Sequence, residues 1–114
     1  MQRRQRAEGD NAMADNDLTV LEDAMNAAFA LDKTYRLAVR NNDLDAMLDL
    51  KPQVDAAFER YSMARLNLLK PGVLATDADV AEMRRVKAEI DRAAGTQQLI
   101  AGAIRLAAFL AKFA

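Results

Sequence analysis

An all-α fold follows from three features of this sequence: which apolar residues it uses, how seldom it turns, and how its apolar residues are spaced. Hydrophobic residues fill 52% of the 114 positions but aromatics only 5%, so the apolar content is mostly Ala, Leu, Met, Val and Ile. That set leans towards helix formers. Four glycines and two prolines leave little turn chemistry for many short strands. Apolar residues recur at steps of three and four, the period of a helix with one buried face. The architecture expected is an antiparallel bundle of three helices, the third long; a break near Gly95 is the alternative, giving four. A chain of 114 residues suits one domain with one modest core.

Residues 1–15 (MQRRQRAEGDNAMAD) have no apolar period and mix Arg3, Arg4 and Arg6 with Glu8 and Asp10. They read as a flexible N-terminal tail, with residues 16–114 as the helical domain.

Helix one is expected from about Leu18. Thr19-Val20-Leu21-Glu22 has the spacing of a capping box, and Asp15, Asn16 and Asp17 offer caps one turn earlier. Leu21, Ala24, Ala28, Leu31, Tyr35 and Ala38 share a face that Met25 and Phe29 widen. Glu22 and Asp23 near the start, with Lys33, Arg36 and Arg40 near the end, follow the macrodipole.

Asp43 is placed to cap the next helix. Pro52 then allows two readings: a short helix ending near Leu50 with a new start, or one helix kinked there. Val54, Ala57, Tyr61, Ala64 and Leu68, beside Phe58, carry the apolar face onward until Lys70-Pro71-Gly72 stops it.

Thr76 and Asp79 form a second near-capping box. From Met83 an apolar seam runs through Val86, Ile90, Ala93, Ile100, Ile104, Ala107 and Ala111 at heptad spacing, as in a coiled coil. Arg85 with Glu89, and Lys87 with Asp91, are spaced to pair. Gly95 costs about 1 kcal/mol in a helix interior, yet the seam keeps its phase across it, which favours one continuous helix. From Asp77 to Phe113 such a helix would span roughly 55 Å, against about 33 Å for helix one.

Chemistry is sparse. With no histidine and no cysteine, the commonest general base, the commonest transition-metal ligand and any thiolate are missing. Ser62 is the only serine and has no base near it in sequence. No phosphate loop, nucleophile elbow or calcium loop is present. Asp55 and Glu59 could offer oxygens to a hard cation but read as a solvated acidic face. No catalytic, cofactor or metal residue is expected, and no enzyme. A net charge of -1 argues against nucleic acid as a partner. No signal-peptide pattern opens the chain, so a cytoplasmic protein is expected.

The expected function is therefore that of a small non-catalytic helical protein, an oligomeric interaction, adaptor or regulatory module. Past Leu99 only Arg105 and Lys112 interrupt the apolar run, and a long helix leaves that end uncovered. The seam through Ile100, Ile104, Ala107 and Ala111 is assigned to the core by continuity. A second stripe, Leu99, Gly102, Ala103, Leu106, Phe109, Leu110 and Phe113, is assigned to a partner. A twofold homodimer is the favoured assembly, an unlike protein partner the next. Two alternatives remain: a peripheral membrane-surface protein using residues 99–114, and a small ligand-binding helical protein.

Overall fold

The computed structural model describes residues 8–70, 72 and 74–113, with side chains from Asn16 onward. It contains four helices: α1 (Glu8–Arg40), α2 (Leu44–Leu68), α3 (Asp77–Asp91) and α4 (Thr96–Ala111). No strand occurs among the described residues. The chain is all-helical, and the helices pack against one another.

Two of the expected helix starts are found. Asp43 accepts a hydrogen bond from the Ala46 amide at 3.2 Å and caps α2. At α3 the capping box is complete: the Asp79 amide donates to the Thr76 hydroxyl, and the Thr76 amide donates to the Asp79 carboxylate. The turn between α1 and α2 is closed by Asn42, which takes φ 56°. Asparagine tolerates that left-handed region better than most residues. The Asp43 amide reaches the Ala38 carbonyl at 2.9 Å and the Asn42 amide reaches Val39 at 3.1 Å, a Schellman end to α1.

Two boundaries differ from expectation. Helix α1 begins at Glu8, so Thr19 and Glu22 lie inside it rather than at its cap. The expected tail is thus helical from Glu8 onward, and its residues 1–7 lie outside the described part. No proline lies between Glu8 and Asp17 to block the extension, although Gly9 and the Asp and Asn residues there are weak helix formers. The spare caps serve another purpose. Asp17, buried, accepts from the Ala75 amide at 2.8 Å, and Asn16 donates to Asp77 at 3.0 Å. Both tie the α2–α3 link to α1.

The second difference is larger. The long third helix does not form; it breaks at Arg92–Gly95, and Gly95, extended at φ -160°, becomes the N-cap of α4. A continuous helix would gain a few backbone hydrogen bonds but leave an apolar end in water. Folding back buries Leu99, Ala103, Leu106, Phe109 and Leu110 within the chain, and burial at about 25 cal/mol per Å² outweighs those bonds. Phase continuity of the seam could not report this, because spacing along the chain does not distinguish a straight helix from one that reverses and rotates at Gly95.

The packing order is a ring. α1 touches α2 and α3, and α4 touches α2 and α3, with a weaker diagonal contact between α1 and α4. Asp17 meets Ala75 and Asp23 lies 3.9 Å from Arg84, so α3 runs parallel to α1. Lys112 pairs with Asp79 and Glu82 while Arg105 pairs with Glu89, so α4 runs antiparallel to α3. Two hairpins therefore stack, a long one (α1–α2) and a short one (α3–α4). Their shared core includes Leu31, Leu50, Met83, Leu106 and Leu110. At 15 residues, α3 reaches only about the level of Leu31 along α1, so the turn end of the long hairpin projects past it.

Asp79 ties the open ends of the two helices of the short hairpin together, and this gives a pH-dependent test. Burial pushes its carboxyl upward, but hydrogen bonds from the Thr76 amide and hydroxyl and from Lys112 outweigh that and hold it below the ordinary value. A depressed carboxyl stabilises the fold above its unfolded pKa of about 3.9, and that contribution is lost as pH falls through the folded value. Asp79→Ala is expected to cost about 1 kcal/mol at neutral pH. Urea titrations at falling pH should show the gap to the native chain narrowing below about pH 4. A gap that stays constant would mean the carboxylate's charge plays no part.

Candidate interaction surface

Helix α2 is apolar on two faces. Ala46, Leu50, Val54, Ala57, Ala64 and Leu68 face the core. On the opposite side Leu44, Leu48, Met63, Leu66 and Leu69 are exposed, Leu48 to 74% and Leu66 to 69%. Leu48 and Leu66 are 18 residues apart, five whole turns, so they point the same way. Between them the row carries Lys51, Pro52, Asp55 and Glu59, all exposed. Lys51 donates to Asp55 at 2.9 Å. That hydrogen bond, with the carboxylate's charge, raises the ammonium above its ordinary value. Glu59, one turn on, has no ion pair among the described residues.

Pro52 sits inside α2 without ending it, and no new helix starts there. Its missing N–H leaves the Leu48 carbonyl without its usual intrahelical donor. Both residues are exposed, so water can take that place. Beside them a shallow groove of about 380 Å³ is lined by Tyr35, Met47, Leu48, Lys51, Pro52 and Asp55, carrying the row onto α1. Leu37 and Val39, on the projecting part of α1, are also exposed.

The seven residues expected at a partner interface are elsewhere. Leu99, Gly102, Ala103, Leu106, Phe109, Leu110 and Phe113 are all buried in the chain's own core. The stripe expected to be core is the outer one: Ile104 is 53% exposed, Ala111 is exposed, and Ile100 and Ala107 are half-buried. The two stripes are exchanged because the fold-back at Gly95, not the α3 seam, sets how α4 is rotated. Of the apolar side chains on which a membrane-surface role rested, Leu99, Leu106, Phe109, Leu110 and Phe113 are in that same core, while Ile104 is exposed and Ile100 half-buried. No helix among the described residues is long and apolar enough to cross a membrane. The exposed α2 row has its own signal in the sequence, since Leu44, Leu48, Leu66 and Leu69 fall off the Val54–Leu68 stripe at steps of their own.

A second concavity, about 330 Å³, lies between α3 and α4 and is lined by Glu82, Arg85, Val86, Glu89, Arg92 and Arg105. Its carboxylates are engaged. Glu82 takes Lys112 at 2.8 Å, and Glu89 takes Arg105 rather than the Arg85 its spacing suggested. Lys87 pairs with Asp91 at 2.8 Å as expected. The Lys112 and Arg105 pairs form a ladder joining α4 to α3, and Lys87–Asp91 lies within α3; each exposed pair is worth about 0–1 kcal/mol. Among the described residues no cluster of three or more acids gathers as a metal site. Asp55, one of the two oxygen donors considered for a cation, is instead held by Lys51.

No known family model, no curated protein and no solved structure matches the chain.

Proposed function

We propose that the chain is a non-catalytic helical interaction module that docks a partner protein on the outer face of α2. The observation that carries this reading is the single exposed row of Leu44, Leu48, Met63, Leu66 and Leu69 along one helix. Scattered surface leucines are ordinary, but these gather on one side of one helix as two apolar ends, Leu44 with Leu48 and Met63 with Leu66 and Leu69, flanking a charged middle, an arrangement suited to a helix docked along the face. The partner first expected on α4 is thereby moved to α2, because the α4 stripe covers the chain's own core.

Paired substitutions test it. Leu48→Asp with Leu66→Asp should leave circular dichroism unchanged, since both side chains are exposed. In affinity capture from the source cells, the double variant is expected to lose a protein that both the native chain and Ile104→Asp retain. Equal retention by all three chains would remove the α2 face from consideration.

A further inference from the structure

We propose that the acidic middle of the α2 row selects a helix from an unlike chain, one carrying a cation between two apolar ends, and keeps two copies of this chain apart. The proposal rests on the reading of α2 as the docking face. The row is nearly symmetric about its midpoint. Leu48 and Leu66 are equidistant from residue 57, and so are Asp55 and Glu59. A symmetric dimer pairs residue i with j and j with i. Antiparallel pairing that covers both apolar ends sets Leu48 on Leu66 of the second copy and Asp55 on Glu59. Parallel pairing sets each acid on its own counterpart. Either way carboxylates meet carboxylates at the centre. Lys51 is already held by Asp55 in its own chain, so it neutralises only one of the two acids. Like charges brought together in a contact work against the wrong partner more strongly than matched ones favour the right one. A helix with Arg or Lys at its middle and apolar residues about two and a half turns to each side meets the same face without that conflict.

The complementary partner can be made from the chain itself. Asp55→Lys with Glu59→Lys gives a copy whose α2 row has the same apolar ends and a basic centre. Light scattering is expected to find the native chain alone, and the variant alone, at the mass of one chain, and an equimolar mixture at twice that mass. Adding Leu48→Asp to either member should return the mixture to single chains. Asp55→Asn with Glu59→Gln removes the clash without adding charge, and is expected to dimerise by itself. A mixture that stays at one-chain mass, or a neutralised variant that does, overturns the proposal. A native chain that is already a dimer overturns it too. If Leu48→Asp then breaks that native dimer, the docking face survives and only the charge argument falls.

Discussion

Leu106→Asp is expected to unfold the chain, while Ile104→Asp, two residues away on the same helix, is expected to leave it folded. Leu106 is fully buried between the hairpins and Ile104 is 53% exposed. Truncating a buried leucine costs about 2–5 kcal/mol through lost transfer energy and the cavity left behind. An unpaired carboxylate in the same place adds a desolvation penalty of several kcal/mol. Against a total stability of about 5–15 kcal/mol for a domain of this kind, that sum leaves no folded population. Circular dichroism and a thermal melt decide it: loss of the cooperative transition for Leu106→Asp, near-native values for Ile104→Asp. The reverse outcome would restore the stripe assignment that continuity of the seam suggested, and with it a dimer through α4.

That contrast marks what could be read without coordinates. Local signals were sufficient where the cause is local. The Asp43 cap and the Thr76–Asp79 box need only neighbouring residues, and both are present. The inward faces of α1 and α2 follow from period alone, as Ala24, Ala28, Leu31, Val54, Ala57 and Ala64 bear out. Where two elements compete for the same residue, the sequence is silent about the winner. Asp17 could cap helix one but binds the Ala75 amide 58 positions away. Glu89 could pair with Arg85 within its helix but meets Arg105 across the hairpin. The rotation of α4 is the strongest case, since it depends on whether the chain reverses at Gly95. A glycine that costs about 1 kcal/mol in a helix cannot by itself announce that a far larger burial term lies on the other side of the break. The exposed row on α2 is masked by a different cause: α2 is apolar on two faces, and periodicity alone does not say that the second one stays in water.

Among Gly72, Gly95 and Gly102, Gly102→Leu is expected to be the most damaging substitution. Gly102 lies inside α4 against Ile90 of α3, and a Cβ built on it would sit 2.7 Å from Ile90 Cγ1 and 3.8 Å from its Cα. Ile90 is buried, and its β-branch restricts χ1 in a helix. The blocking atom is the second carbon of a stiff side chain, so α3 and α4 must separate to make room. Gly102→Ala sets two terms against each other. Helix propensity returns about 1 kcal/mol, and overpacking takes about 1–3 kcal/mol, for a net loss of roughly 1 kcal/mol. Leucine adds three more carbons to the same gap with no further propensity gain, and the loss should reach several kcal/mol. Gly95→Ser is the control, because Gly95 has nothing within 4 Å, an ordinary extended backbone and the N-cap position that serine favours. It should be neutral or slightly stabilising. Urea denaturation of the three variants gives the order directly. Adding Ile90→Ala to Gly102→Ala should make the pair less costly than the two separate losses combined, since each change relieves the other. Strict additivity, or a stabilising Gly102→Ala, would mean that α3 and α4 do not approach through this glycine.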